Sequence, residues 1–182
     1  MYLLQNTSLE YVARAAEDLI KVVDANKYML VFDIDATLLA NENNAACHAH
    51  LIYPIKRIYD LARQMSLPIF LVTARAESVD GRAFTTAQLD CLGLREYDGL
   101  YMRTPIHPPN VSSISIYKME CRRQLIHDTG RRIFMNLGDQ WSDHLVCTQA
   151  NMETLDNYYG NNNVLFTPSV MDAYSTWSLK IA

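Results

Sequence analysis

The sequence predicts one α/β domain whose parallel sheet is covered by helices on both faces. Three apolar runs are typical of strands that are buried on both sides, namely Tyr28 to Phe32, Leu67 to Val72 and Arg132 to Leu137. Helical spacing lies between the first two, and a strand-helix-strand unit normally makes a right-handed crossover between parallel strands. Each run ends in polar residues. The crevice at the carboxyl ends of such strands is where α/β folds bind ligands.

The composition fits a single domain over residues 1–182. Hydrophobic residues make up 49% of the chain and charged residues 20%, enough for a full core without disulfides or a zinc site. The formal net charge of −4 and the lack of a long basic tract argue against an extensive nucleic-acid surface. No apolar run approaches ~18 residues, and the start has no basic segment before a long apolar stretch. We therefore expect no membrane partner and a cytoplasmic location.

The four cysteines give no sign of a metal or redox site. They lie far apart and form no Cys-x-x-Cys pair, at Cys47, Cys91, Cys121 and Cys147. Neither zinc binding nor a redox dithiol is indicated. We expect free thiols in a reducing compartment.

The first strand leads into two carboxylates. A helix from Ser8 to about Ala25, with Ser8 as its N-cap, precedes the strand and is expected to cover the sheet. Asp33 and Asp35 follow the strand, and because strand side chains alternate between faces, they project towards the same region. Two like charges this close favour a bound cation, a shared proton, or both. The alternative is a helix cap or a turn aspartate.

A short polar segment after these carboxylates is the only candidate for a cap. Residues 40–53 are expected to form no more than a reduced lid loop. His48 and His50 lie in it and could ligate a metal. Two ligands without nearby partners instead favour loop or lid residues. Their position just after the carboxylates also makes them candidate substrate contacts.

The second strand ends in groups that suit a phosphate. Pro54 predicts the start of a helix, which leads to the strand Leu67 to Val72 and then to Thr73, Ala74 and Arg75. The crossover places these residues near the two aspartates. A hydroxyl and backbone amides at a strand end suit phosphate oxygens, and Arg75 could add a charged fork or pair with a neighbouring glutamate. Alone, such a threonine is more often a helix cap.

Two more helices are predicted, with a short strand between them at Leu100 to Met102. They span Phe84 to Leu92 and Ile116 to Thr129, and Gly130 closes the second. Lys118 falls in the first turn of that helix, where the helix dipole disfavours a cation. This mismatch indicates an anion nearby, and the alternative is a solvated lysine.

The third strand also ends in carboxylates. Gly138 permits a sharp turn, and Asp139 and Asp143 lie four residues apart where a helix begins. With the first pair they make four carboxylates, an oxygen-only set that suits Mg²⁺ better than zinc. The alternative is an acidic, solvated loop. The tail is predicted as a loop over Asn151 to Asn163, an edge strand at Val164 to Phe166, and a final turn or short helix.

Taken together, these strand ends resemble the haloacid dehalogenase-like (HAD) hydrolase superfamily. The motifs that carry the resemblance are Asp33-Ile34-Asp35-Ala36-Thr37, Thr73, Lys118 and Gly138-Asp139-Gln140-Trp141-Ser142-Asp143. From Tyr28 to Asp143 the chain is similar to the acid phosphatase branch, subfamily III, which includes class B and C acid phosphatases and plant vegetative storage-type proteins. The resemblance implies a three-layer Rossmann-like fold and Mg²⁺-dependent hydrolysis of phosphomonoesters.

The resemblance also implies roles for individual residues. Asp33 attacks phosphorus and forms an aspartyl-phosphate, and Asp35 serves as general acid and then as general base. An acid two residues after the nucleophile favours a phosphatase over a dehalogenase or an ATPase. The implied phosphate-binding residues are Thr73, Ala74 and Lys118. The implied Mg²⁺ ligands are Asp33, the backbone carbonyl of Asp35, Asp139 and, directly or through water, Asp143.

The sequence departs from the branch in two places and leaves rival functions open. Ala36 stands where the superfamily usually has Gly and the branch often has Glu, and the lid is shorter than in the secreted members. A short lid leaves room for a bulky substrate or for cover by another subunit, so we consider a homo-oligomer. A small phosphomonoester is the expected substrate. The rivals are a phosphotransferase with an alcohol or nucleoside acceptor, a storage or binding protein that has lost activity, and a phosphatase of nucleic-acid ends or phosphoproteins.

Overall fold

The computed structural model describes residues 4–5, 8–40, 47–159, 164–168 and 174–181. Within these ranges the strands are β1 (Leu4–Gln5), β2 (Tyr28–Phe32), β3 (Ile69–Ala76), β4 (Gly99–Arg103), β5 (Arg132–Gly138), β6 (Leu165–Pro168) and β7 (Ser175–Lys180). The helices are α1 (Leu9–Ile20), α2 (Tyr53–Gln64), α3 (Val79–Cys91), α4 (Val111–Thr129), α5 (Trp141–His144) and α6 (Gln149–Tyr159).

These strands form one sheet in the order β1-β6-β7-β5-β2-β3-β4. The five strands from β7 to β4 run parallel to one another, while β6 pairs antiparallel with both β7 and β1. The carboxyl ends of β2, β3 and β5 therefore meet at one edge of the sheet. The predicted α/β class with a mostly parallel sheet is confirmed.

Strand β2 shows why the fold has three layers. Its side chains alternate, so that Leu30 and Phe32 pack in the cluster that includes residues of α1 and α2. Met29 and Val31 pack on the opposite face with Leu125 of α4 and its neighbours. Because both faces are covered, an uninterrupted apolar run is what this strand needs.

Helix α4 begins earlier than the sequence predicted. The side chain of Asn110 accepts a hydrogen bond from the backbone N–H of Ser113 at 2.9 Å and caps the helix there. Lys118 consequently lies in the interior of the helix, seven residues after Val111. The prediction that Lys118 occupies a first turn with an unfavourable dipole is therefore wrong. Gly130 does close the helix, in the left-handed conformation at φ +66°.

The tail differs more. The predicted loop from Asn151 largely forms helix α6, with residues 160–163 outside the described part. The strand predicted near Phe166 is present as β6, but it lies between β1 and β7 rather than at the edge. The final turn or short helix was predicted to open at Thr167 and Pro168, which instead end strand β6. Residues 169–173 lie outside the described part, and the chain continues as strand β7, which pairs with β5. Short polar strands of this kind depend on tertiary pairing more than on their own propensity.

The cysteine prediction was wrong for one pair. Cys47 and Cys91 form a disulfide that joins the lid segment to the last residue of α3, across 44 positions of sequence. Cys121 and Cys147 are free, as predicted, and both are buried. Spacing alone cannot reveal a pair that packing brings together. Disulfides persist mainly in oxidising environments.

The two ends of the predicted lid, residues 40–53, lie side by side and are joined by backbone hydrogen bonds. The N–H of Ala40 donates to the carbonyl of His50 at 2.7 Å, and that of Ile52 donates to the carbonyl of Leu38 at 2.9 Å. Residues 41–46, which belong to the predicted lid, lie outside the described residues. None of the helices in the described part is both long and apolar enough to cross a membrane.

Candidate active site

A cavity of about 240 Å³ opens at the carboxyl edge of the sheet. It is lined by six of the residues that the sequence predicted for the site: Asp33, Asp35, Thr73, Ala74, Lys118 and Asp139. Val111, Ile114 and Met152 add an apolar wall from α4 and α6. A wider hollow of about 480 Å³ beside α4 and β4 contains none of the predicted site residues. The chemistry is therefore concentrated in the smaller cavity.

Lys118 joins the two acidic strand ends. Its ammonium donates to Oδ1 of Asp33 at 2.8 Å and also to Oδ1 of Asp143. The lysine is only 3% exposed. Burial by itself lowers its pKa, but the charges of Asp143 and Asp33 outweigh burial and raise the pKa above its ordinary value. Lys118 thus carries a permanent positive charge at the floor of the cavity.

Three carboxylates lie close together beside this cation. Asp33, Asp139 and Asp143 each offer an oxygen, and these oxygens all lie within 4.8 Å of one another. Burial raises the pKa of Asp33 well above its ordinary value, and the charges of Asp143 and Asp139 raise it further, against the effect of Lys118. The cluster is therefore short of positive charge. An oxygen-only donor set with excess negative charge fits a hard divalent cation such as Mg²⁺.

Asp35 is held apart from this cluster by Arg75. The guanidinium forks onto the carboxylate, with Nε to Oδ2 at 2.7 Å and Nη2 to Oδ1 at 2.5 Å, and its Nη1 donates to Thr85 at 3.3 Å. Glu77, the alternative partner for Arg75, instead pairs with Arg82. The side chain of Asp35 is thus oriented by a bidentate ion pair. A metal contact from Asp35 is left to its backbone carbonyl.

The short helix α5 is fixed by contacts that the sequence analysis missed. Arg122 donates to the backbone carbonyl of Asp143 at 2.5 Å, and Asn136 donates to the same oxygen. Arg122 is 1% exposed, so it is buried although it belongs to a basic pair on a helix. It follows Lys118 by four residues, one helical turn on the same face. That spacing was the available signal.

Glycine is required at the end of β5. A Cβ on Gly138 would lie 2.3 Å from the Cβ of Asp143, a distance that no relaxed structure tolerates. The carboxylate of Asp143 in turn accepts from the backbone N–H of Gln140 at 2.9 Å, which closes a capping box. Close approach, more than turn formation, explains this glycine.

Ala36 adopts the left-handed conformation at φ +54°. This conformation costs a residue with a Cβ roughly 1 kcal/mol, whereas glycine adopts it freely. The departure from glycine noted in the sequence is thus accommodated with strain in the turn after Asp35.

Of the remaining predicted site residues, Thr73 lines the cavity and the two histidines do not. The hydroxyl of Thr73 accepts from the N–H of Arg75 at 3.2 Å, and because a hydroxyl also donates, it can still serve a phosphoryl oxygen. His48 and His50 are exposed and do not line the cavity.

The titration of Asp139 makes the metal-free protein sensitive to pH. Burial, helped by Asp143, raises the pKa of Asp139 to about 6. Because the folded chain then holds this proton more tightly than the unfolded chain, the free energy of unfolding should fall as pH rises from about 4 to about 6. Urea unfolding in EDTA across this range measures it, with Asp139→Asn as the control that lacks this fall. Identical pH profiles for the two proteins would contradict the assignment.

Comparison with known proteins decides the family. Residues 46–162, more than half of the chain, match the family described as HAD superfamily, subfamily IIIB (acid phosphatase). The chain belongs to this family. The matched region starts after Asp33 and Asp35, so it contains Lys118 and the second acidic strand end but not the first. Comparison with curated proteins gives no match.

Solved structures show the same fold. A class C acid phosphatase from Bacillus anthracis, with tungstate bound, has a TM-score of 0.57 at 14% identity and covers 86% of this chain and 77% of its own. A chain of the Pnkp1/Rnl/Hen1 complex has a TM-score of 0.50 at 21% identity and covers 63% of this chain. This protein spans 39% of that second chain. At these identities the likeness concerns the fold alone.

Proposed function

We propose that this protein hydrolyses small phosphomonoesters with the help of Mg²⁺, through an aspartyl-phosphate on Asp33. The observation that carries the proposal is the buried Asp33 carboxylate, held by Lys118 beside two further aspartates, in a chain of the acid phosphatase family. A buried nucleophile beside a fixed cation suits attack on a phosphoryl group, whose charge the cation offsets.

The chain supplies each part of the reaction. One oxygen of Asp33 accepts from Lys118, and the other is available to attack phosphorus. Thr73, the backbone at Ala74 and Lys118 hold the phosphoryl oxygens. Asp35, once protonated on an oxygen released from Arg75, would give that proton to the departing alcohol. As the carboxylate it would then take a proton from the water that hydrolyses the intermediate.

The metal site completes the charge balance. Asp33, Asp139, Asp143 and the backbone carbonyl of Asp35 would hold the ion. When bound, Mg²⁺ neutralises charge on the transferring phosphoryl group and helps to position it. Arg75 holds the side chain of Asp35 through two hydrogen bonds.

The remaining predictions about the whole protein stay proposals. We propose a single domain over residues 1–182 with a reduced lid at 40–53, and a site open enough for a second subunit to cover. The cytoplasmic location stays a prediction, against which the Cys47–Cys91 disulfide weighs. Contacts of His48, His50 or Arg75 with substrate also stay predictions.

The rival functions share this site. A phosphotransferase differs only in replacing water by an alcohol or nucleoside acceptor. A storage or binding protein without activity is disfavoured by the intact set of acids and Lys118, since loss of activity usually removes one of them. Action on nucleic-acid ends is disfavoured by the net charge of −4.

Hydrolysis of p-nitrophenyl phosphate tests the proposal. Release of p-nitrophenol between about pH 4 and about pH 9 should require Mg²⁺ and be lost in EDTA. Asp35→Asn should slow turnover by ~10²-fold or more, because it removes the proton donor, while the exposed Asp18→Asn should change nothing. Methanol or glycerol is added as an acceptor to distinguish the two reactions. A phosphotransferase would form methyl or glycerol phosphate, whereas a hydrolase would release inorganic phosphate. Equal rates for the parent and Asp35→Asn would contradict the role of Asp35 as general acid and base. No release of p-nitrophenol at any pH would contradict the enzymatic function.

A further inference from the structure

The indole ring of Trp141 is held from two sides. Trp141 is the first residue of α5 and is 2% exposed. Its Nε1–H donates to Oδ1 of Asp156 in α6 at 2.8 Å. The ammonium of Lys180, at the end of β7, lies 5.1 Å from the centre of the ring. We call these three residues, Trp141, Asp156 and Lys180, the indole clamp.

Lys180 is an unusual lysine. It is only 5% exposed, and in the part of the chain that the structure describes no carboxylate lies within 4.0 Å of its ammonium. A buried cation normally has an ion-pair partner. A desolvated cation over the face of a tryptophan is attracted by the ring electrons, and this attraction strengthens as water is excluded. The ring therefore helps to hold this charge, together with the nearby negative charges of Asp156, Asp139 and Asp143.

The clamp acts on the segment that carries the metal candidates. Trp141 lies between Asp139 and Asp143 in sequence, and Lys180 is paired in register with Gly138. Only residues from α5, α6 and β7 form the clamp, so it ties the acidic turn to two elements that provide no ligand themselves. Helix α5 has a single helical turn. It therefore depends on contacts from neighbouring elements, which include the bonds of Arg122 and Asn136 to Asp143 as well as the clamp.

We propose that the indole clamp is a positioning device for the metal site, in which Lys180 and Asp156 hold Trp141 and thereby fix Asp139 and Asp143 for Mg²⁺. The inference rests on the proposed metal site. Groups that orient metal ligands from behind commonly change metal affinity by 10- to 100-fold when they are removed. Clamp variants should therefore weaken Mg²⁺ binding without touching a ligand.

If Lys180 acted only through its charge, its removal would change the Mg²⁺ affinity in the opposite direction. The direction of the change therefore distinguishes a charge effect from a positioning effect. Lys180 is a positive charge near the aspartates, so if charge were its main effect, removing it would strengthen binding of a cation. If it acts through Trp141, removing it loosens the turn and weakens binding. Lys180→Met removes the charge but keeps most of the side-chain length, and Lys180→Arg keeps the attraction to the ring.

Calorimetric titration of the purified full chain with MgCl₂ measures this directly, independently of activity. We expect the Kd to rise about tenfold in Lys180→Met and in Trp141→Phe, and to stay near the parent value in Lys180→Arg. Trp177→Phe is the matched control, because it makes the same change in a ring that stacks on Phe166 instead. In the Trp177→Phe background Trp141 is the one remaining tryptophan, so its emission also reports the clamp as Mg²⁺ binds.

The outcomes separate the two proposals. An unchanged or lower Kd in Lys180→Met would overturn the positioning role while leaving the metal site standing. If Lys180→Met does not fold, Trp141→Phe and Lys180→Arg decide, and a parent-like Kd for Trp141→Phe would overturn the role. A parent protein that binds no Mg²⁺ at about pH 7 would overturn the metal site and the clamp together.

Discussion

Replacement of Asp33 by asparagine should abolish turnover and leave the protein as stable as the parent or more stable. Asparagine keeps the size of the side chain but cannot form the aspartyl-phosphate, so turnover should fall by at least ~10³-fold. The fold should gain because burial and the charges of Asp143 and Asp139 raise the pKa of Asp33. A raised carboxyl pKa means that ionisation costs stability above the pKa of the unfolded chain. At neutral pH Asp33→Asn has no buried carboxylate to ionise at this position, so its free energy of unfolding should not be lowered in this way.

Two measurements on the same preparation test this prediction. Hydrolysis of p-nitrophenyl phosphate with Mg²⁺ gives the turnover, and urea unfolding in EDTA gives the free energy of unfolding. Asp18→Asn is the control, because Asp18 is 75% exposed in its side chain and pairs only at the surface with Lys21. Turnover within tenfold of the parent would exclude Asp33 as the nucleophile. A clear loss of stability would show that its charge holds the site together.

Replacement of Lys118 by methionine should damage both activity and stability. Lys118 is the cation between Asp33 and Asp143, and methionine leaves these buried carboxylates facing each other. Breaking a buried ion pair by removing one partner costs about 3 to 5 kcal/mol, because an uncompensated charge stays behind. Turnover should fall by ~10³-fold or more, since the same ammonium is placed to offset phosphoryl charge.

The instability of Lys118→Met should depend on conditions in a specific way. Mg²⁺ should restore part of the free energy of unfolding, because the ion supplies the missing positive charge and binds only the folded state. Protonation of the carboxylates at low pH should restore it as well. Lys21→Met, which breaks a pair on the surface, should leave stability unchanged within error. A loss that is the same with and without Mg²⁺ would argue for a packing defect rather than a charge defect.

Much of the site could be predicted because its chemistry lies at the ends of long apolar strands. The runs that became β2, β3 and β5 are buried on both faces and therefore have little freedom in sequence. Parallel connection then brings their carboxyl ends together, whatever the detailed packing. This is why Asp33, Thr73 and Asp139 were found and placed at one cavity.

Lys118 was correctly predicted as a site residue, but the predicted position in the first turn of a helix was wrong. The sequence pattern predicted a position in a first turn beside an anion, whereas Lys118 lies inside α4 and contacts two carboxylates. The anion was real, but the helix began earlier because Asn110 caps it. No role at the site was predicted for Arg122, since a basic pair on a helix looks like a solvated surface until the opposite face is known to be buried.

The sequence by itself determined the fold class, the acidic strand ends and their resemblance to acid phosphatases, because periodicity and motif order are local properties. Only the tertiary structure decided which partners these residues take: Arg75 on Asp35, Arg122 on Asp143, Cys47 on Cys91 and Lys180 on Trp141. It also decided that α6 and β7 exist as a helix and a strand. Their segments are short and polar, and such segments become ordered through pairing and packing with distant parts of the chain, which no local pattern records.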